Sequence, residues 1–244
     1  MAIKQSIPAF ILFGQWDQNR LALLGHIQKE LVDVTVIAPI FPKHEKVPFL
    51  NRLFHLSKIR TGKALSPAEV GVLLGHRAIW RKIVKMDADP AQHFLVLESD
   101  SKLNNPKILK EKFNVYTPNY DLFFWGAWDG HARIHRSSIQ FRLQEYVIGT
   151  PLIKSVYCAY GYSLNKKAAA YLLKSTNKIS YPVDIYKKFI QPGALTIGAV
   201  RPELIGAWYN TPSTIQEQSM IVKIKRFLIV QIFDFRNRIH AYFS

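Results

Sequence analysis

Apolar residues in this chain alternate between short unbroken runs and longer stretches where they recur every third or fourth position. The first pattern describes buried strands and the second amphipathic helices. Residues 9–13 form the first run. The polar stretch 17–19, led by Asp17, is suited to capping a helix. Leu21, Leu24, Ile27 and Leu31 then follow at helical spacing. Residues 34–37 are all β-branched and predict a second strand. Strand, helix, strand in so short a length is a βαβ start, which predicts an α/β fold with a mainly parallel sheet.

Pro39, Pro42 and Pro48 mark an irregular connection, and residues 49–59 suit a short helix. Ser66-Pro67-Ala68-Glu69 is a capping box with proline at the first helical position. The helix it opens puts Val70, Leu73, Leu74, Trp80, Ile83 and Val84 on or near one face. Gly71, Gly75 and Ala78 gather on a neighbouring face. Glycine inside a helix costs roughly 1 kcal/mol against alanine, so two of them predict a close approach by another backbone or a ligand. Residues 94–97 are continuously apolar, as a central strand buried on both faces would be. That strand runs into Glu98-Ser99-Asp100.

Asn105-Pro106 caps a further helix to about residue 113. Residues 120–125 read as a strand that leaves Trp128, Asp129 and Gly130 in the loop after it. The polar, basic stretch 131–150 reads as an exposed excursion. Residues 156–164 are aromatic and strand-like, and Asn165 caps a helix over 166–174. Tyr181-Pro182-Val183-Asp184 predicts one more helix start, and 195–200 a late strand. Thr211-Pro212-Ser213-Thr214 reads as a linker, and residues 216–244, free of glycine and proline, as a terminal helix.

Composition narrows the classes. Of the 244 residues 48% are hydrophobic and 13% aromatic, well above what a disordered chain carries. The net charge of +16 favours polyanionic partners: nucleic acid, anionic membrane or phosphorylated small molecules. No compact nucleic-acid motif accompanies it, so no nucleic acid is expected. Cys158 is the one cysteine, which excludes an intrachain disulfide and fits a reducing, cytoplasmic setting. Residues 7–13 are too short for a membrane span and lack a cleavage site, so they read as a strand and not a signal peptide. His131 and His135 have no further ligand spacing to suggest zinc.

Glu98 and Asp100 are the first chemical candidates. Hard cations such as Mn²⁺ and Mg²⁺ take carboxylate oxygens, Mg²⁺ typically one or two of them plus substrate phosphates. Alternate positions just past a strand can aim both carboxylates into the crevice where open α/β sheets bind ligands. The plain alternative is a turn or helix cap.

The surrounding residues resemble family 25 of the glycosyltransferases. The resemblance is carried by Leu65-Ser66-Pro67-Ala68-Glu69-Val70-Gly71, Gly75-His76, Trp80, Lys82-Ile83-Val84 and Leu95-Val96-Leu97-Glu98-Ser99-Asp100. It continues through Tyr120-Asp121-Leu122, Ala159-Tyr160-Gly161-Tyr162-Ser163-Leu164 and Pro182-Val183-Asp184, and covers roughly residues 7–215. Ser99 stands where the family pattern has its middle aspartate, and of the basic turn after the first strand Arg20 survives.

The resemblance implies a GT-A-type, Rossmann-like α/β catalytic domain over 1–215, its mixed, mainly parallel sheet flanked by helices. A basic amphipathic helix over 216–244 follows it. It implies inverting transfer of a hexose, most often galactose from UDP-galactose, to a lipooligosaccharide or LPS-type acceptor, with Mn²⁺ or Mg²⁺. Glu98 and Asp100 then match the motif that binds metal and donor diphosphate, and His76 and Arg20 are donor contacts. Asp184 is the candidate base, with Asp129 its rival. Read plainly, Asp184 is a helix-start carboxylate, Asp129 a turn residue and His76 a buried, hydrogen-bonded histidine. The tail 221–243 is basic and strongly apolar, the signature of a helix lying on a membrane face. Its alternative is docking on the domain or on a second subunit. A polyanion- or nucleic-acid-binding protein and an inactive family member are the competing functional readings.

Overall fold

The computed structural model describes residues 6–31, 33–42, 45–127, 130–143, 145–157, 159–208 and 220–243. The first apolar run forms β1 (Ala9–Leu12), and after a 3₁₀ turn over Gln15–Arg20 the chain enters α1 (Leu21–Leu31) and β2 (Val34–Ile37). α2 (Leu50–Thr61) and α3 (Pro67–Lys85) lead to β3 (Phe94–Glu98), which lies parallel to β1 as β1 does to β2. The expected βαβ start is therefore present.

β4 (Ser101–Leu103), α4 (Pro106–Tyr116) and β5 (Leu122–Phe124) follow, then β6 (Phe141–Leu143), β7 (Tyr146–Gly149), β8 (Gly161–Leu164) and α5 (Lys166–Ser175). β9 (Ile197–Arg201), β10 (Ile205–Ala207) and α6 (Met220–Phe243) complete the chain. The main sheet has the order β2-β1-β3-β8-β5-β9-β7-β6, and β4 pairs with β10 in a separate ribbon. β7 and β8 run against the other six strands, as the pairings require, so the sheet is mixed and mainly parallel in strand direction.

Strand side chains alternate between faces, and here each face has its own core. Phe10, Leu12, Phe94, Val96, Phe124 and Tyr162 face α3 and α5, against Leu73, Trp80, Ile83, Ala169 and Leu172. Ile11, Leu95, Leu97, Phe123 and Trp125 face α1 and α4, against Ile27, Leu31, Leu109 and Phe113. Each fully buried large side chain contributes roughly 1.5–3 kcal/mol, so helices packed on both faces hold the sheet between them.

α3 is the element that places the site. Ser66 Oγ accepts the Glu69 N–H at 3.2 Å, and the Glu69 carboxylate accepts the Ser66 N–H at 2.6 Å, closing the capping box. Its buried face holds Val70, Leu73, Ile79, Trp80 and Ile83, whereas Val84 is exposed. The two glycines meet protein and not ligand. A Cβ on Gly71 would collide with the Ile40 carbonyl, and one on Gly75 would press on the Leu12 side chain. This lets α3 lie close over the end of β1.

Two expectations fail. Residues 131–150 are not an exposed excursion: Tyr146–Gly149 joins the sheet beside β9, and Ala132 and Arg133 are buried. The alternation in Tyr146-Val147-Ile148 suits an outer strand, and the charge of Arg133 is met by Asp234 of α6. Tyr181-Pro182-Val183-Asp184 opens no α-helix. It forms a turn and then a single 3₁₀ turn over Tyr186–Lys188, because Pro192 and Gly193 arrive before a helix can gain length. Strand boundaries also tighten, with β8 beginning at Gly161.

α6 docks through Asp234, Asn237 and Ala241, all buried. Asp234 pairs with Arg133, with Arg238 at 2.8 Å and with His131 at 3.4 Å. Ile232, Phe235 and Phe243 of the same helix remain exposed. The expected linker at 211–214 lies outside the described residues.

Candidate active site

β3 ends at the carboxyl edge of the sheet, beside the end of β1, with Glu98 in register with Leu12. Ser99 and Asp100 form the turn into β4. The turn is pinned on both sides. The Glu98 N–H donates to Ser101 Oγ at 2.9 Å, and the Trp208 N–H donates to the Asp100 carbonyl at 2.8 Å. The two carboxylates therefore emerge from rigid backbone.

Glu98 is held by a line of buried polar groups. Trp80 Nε1–H donates to the Tyr162 hydroxyl at 2.9 Å. That hydroxyl lies 2.8 Å from His76 Nδ1, and His76 Nε2 lies 3.0 Å from Glu98 Oε1. Burial raises the Tyr162 pKa well above its usual value, so the phenol keeps its proton. A phenol that accepts from Trp80 has its own proton free to donate to His76 Nδ1. The imidazole is then the Nε2–H tautomer, and it donates to the Glu98 carboxylate. His76 is buried and hydrogen-bonded, as its plain reading had it, and it also touches the candidate site.

A second line reaches Asp100. Arg20 Nη1 donates to Ser99 Oγ at 2.6 Å, and the Ser99 hydroxyl donates to Asp17 Oδ1 at 2.9 Å. Arg20 Nη2 stands 4.0 Å from Asp100 Oδ2. The other oxygen, Asp100 Oδ1, is buried with no hydrogen-bond partner among the described residues. Burial, then the charge of Glu98, pushes the Asp100 pKa up to about 6.

Asp184 shares this neighbourhood. Burial is again the largest cause, and the charge of Glu98 the next, of a pKa raised to about 6. Its Oδ1 is likewise buried without a partner among the described residues. The structure thus gathers Arg20, His76, Glu98, Asp100 and Asp184. Asp129 lies outside the described residues, as does Cys158.

Three participants escaped sequence reasoning. Asp17 looked like a helix cap, Tyr162 like one more aromatic in a strand, and Ser99 like a gap in an acidic motif. The polar line 17–19 hinted at Asp17, but nothing local pairs it with a residue 82 positions away.

A divalent cation is compatible with these side chains. Two carboxylates, one bearing an unpartnered buried oxygen, are what the protein offers. No group of three or more His, Cys, Asp or Glu side chains suited to a metal ion occurs among the described residues. That donor set suits a cation that takes its remaining ligands from substrate phosphates and water.

Residues 18–187 match the family described as glycosyltransferase family 25 (LPS biosynthesis protein). No curated protein matches the chain.

Proposed function

Since the chain belongs to glycosyltransferase family 25, we propose that it is an inverting, metal-assisted hexosyltransferase. Its donor is a UDP-sugar, UDP-galactose before others, and its acceptor a lipooligosaccharide or LPS-type saccharide. The observation that carries the site is the pair of buried carboxylate oxygens on Asp100 and Asp184, without a hydrogen-bond partner among the described residues and both under the charge of Glu98. A buried carboxylate oxygen without a hydrogen bond weakens a fold, and such oxygens gather at ligand sites.

Glu98 and Asp100 would hold Mn²⁺ or Mg²⁺, which when bound neutralises charge on the departing diphosphate. Arg20 adds hydrogen-bond donors on the same side. His76, fixed by Tyr162, keeps the Glu98 carboxylate aimed at the donor. Asp184 serves as general base. It takes the proton of the acceptor hydroxyl as that oxygen bonds to the anomeric carbon, and the bond from that carbon to the diphosphate breaks with release of UDP. A pKa of about 6 leaves Asp184 ionised at neutral pH yet more basic than an ordinary carboxylate.

Within this reading residues 1–215 form the catalytic unit, and α6 rests on an anionic membrane face. Ile232, Phe235 and Phe243 are exposed beside Arg236 and Arg238, while no helix among the described residues is long and apolar enough to cross a membrane. Co-sedimentation with anionic vesicles, lost when Phe235 and Phe243 become Ser, tests that part.

The main test is release of UDP from a panel of UDP-sugars with Mn²⁺ and lipooligosaccharide acceptor. Release above a no-enzyme control with UDP-galactose supports the reading. Donor binding without transfer identifies an inactive family member, and silence across the panel removes the UDP-sugar assignment.

A further inference from the structure

Asp17 is buried and uses both of its oxygens inside the protein. Oδ2 accepts the Gly14 N–H at 3.0 Å, and Oδ1 accepts the Ser99 hydroxyl at 2.9 Å. Having given its one proton to Asp17, the Ser99 oxygen has only lone pairs to offer Arg20 Nη1, 2.6 Å away. The same Nη1 is 3.5 Å from Asp17 Oδ1. Asp17 and Ser99 therefore grip one end of the guanidinium. At its other end Nη2 reaches toward Asp100, and the buried Nε has no partner among the described residues.

Arg20 is only 8% exposed, so an unpartnered N–H there is costly unless a ligand meets it. Asp100, whose Oδ1 lacks a partner among the described residues, stands near the same guanidinium. A guanidinium with an unpartnered N–H near a carboxylate with an unpartnered oxygen suits a ligand that is itself an anion with a cation attached, such as a metal-bound diphosphate. Asp17 is buried, and each of its oxygens already holds an internal hydrogen bond, so its contact with the site runs through Ser99 and Arg20.

We propose that Asp17 is a positioning residue: through Ser99 it fixes the Arg20 guanidinium against the diphosphate end of the donor. The proposal rests on the donor reading above. It also gives Ser99 a role that an aspartate at that position could not fill, because a carboxylate there would face Asp17 without a proton to share.

The test is calorimetric binding of UDP with Mn²⁺ to the intact chain. In Asp17→Asn the amide oxygen can still accept from Gly14, which turns its NH₂ toward Ser99 and Arg20: the Ser99 proton loses its acceptor, and a neutral donor replaces the carboxylate beside the guanidinium. UDP binding is expected to weaken about tenfold, the scale of one charge-assisted hydrogen bond. Arg20→Gln should weaken it as well. In that background Asp17→Asn should add less than about a twofold change, since coupled residues are not additive. Equal losses in both backgrounds, or wild-type affinity in Asp17→Asn, overturn the proposal. Should Asp17→Asn not fold, Ser99→Ala replaces it, because it keeps the Gly14 bond and removes only the bridge. Unchanged affinity in Ser99→Ala also overturns the proposal. Wild-type protein that binds no UDP removes the donor reading, and this inference with it.

Discussion

Two buried polar lines cross this protein, built alike and ending differently. On the α3 face Trp80 donates to Tyr162, Tyr162 meets His76, and His76 meets Glu98. On the opposite face Trp125 Nε1–H donates to Ser163 Oγ at 2.9 Å, Ser163 lies 3.2 Å from His93 Nδ1, and His93 Nε2 lies 2.7 Å from the Tyr120 carbonyl. Tyr162 and Ser163 are neighbours on β8, so the pleat sends them to opposite faces. Each line runs indole, hydroxyl, imidazole, acceptor. The His93 line, at the start of β3, closes on a neutral carbonyl inside the core. The His76 line, at the end of β3, closes on a carboxylate whose side chain is 25% exposed. What distinguishes a candidate site from scaffolding here is the last acceptor in the line: ionised, and within reach of solvent.

Changing the last acceptor of one line and the imidazole of the other separates site from scaffold most strongly. Glu98→Gln keeps an acceptor for His76 and removes the charge. It should lower transfer by about 10²-fold or more and leave the thermal midpoint nearly unchanged. His93→Ala should do the reverse, costing about 2–4 kcal/mol of stability through a cavity and orphaned polar groups, with transfer per folded molecule intact. Paired assays of activity and denaturant unfolding decide it. Similar activity losses in both variants would end the distinction.

The two carboxylates that feel the charge of Glu98, at the end of the His76 line, respond to pH with the opposite sign to His93. Asp184 and Asp100 have pKa values raised to about 6 in the folded protein, from an ordinary value near 3.8. Between those values the folded state holds protons that the unfolded chain has released, so stability falls as pH rises from about 4 to 6. His93 is pushed down to about 4 by burial, against the pull of the Tyr120 carbonyl, from 6.5. Over that window the unfolded chain binds the proton and the folded state does not, so this contribution to stability rises with pH. Asp184→Asn should therefore make the ligand-free protein more stable than wild type at pH 7 and no more stable below pH 4. It should also sharply reduce transfer. Urea unfolding at a series of pH values reads the first effect. In the wild type, kcat/KM should climb through about pH 6 as the base ionises.

Much of the His76 line was legible because it is local in part. The capping box at Ser66, the glycines of α3 and the paired carboxylates after an apolar strand are short-range signals, and all three stand where periodicity put them. The rest depends on contacts that no window contains. Tyr162 meets His76 across 86 positions, and Asp17 meets Ser99 across 82. Only the sheet order, with β8 inserted antiparallel beside β3, brings such pairs together. Asp184 was legible as a residue but misplaced as structure, since a Tyr-Pro start promised a helix where Pro192 and Gly193 allow only a turn. The basic stretch 131–150 misled for a related reason. The partner of Arg133 is Asp234, in the last helix of the chain.

The finest probe compares the two tryptophans that begin the lines. Trp80→Phe and Trp125→Phe each delete one indole N–H and some ring volume at a fully buried position. Their stability costs should match, at about 1–3 kcal/mol each, and so cancel in the comparison. Activity should not match. Without Trp80 the Tyr162 hydroxyl loses the donor that commits its own proton to His76, and the imidazole is then free to reverse its tautomer. That would turn a bare nitrogen toward Glu98 for part of the time. Transfer should fall by a modest factor, about 2–5-fold, the scale of a weakened hydrogen bond. Trp125→Phe perturbs a line that ends in a backbone carbonyl, so its kcat/KM should stay at the wild-type value. A Trp125→Phe enzyme impaired as much as Trp80→Phe would mean that α-helical packing around both indoles, and not the polar line to Glu98, sets the geometry of the carboxylates.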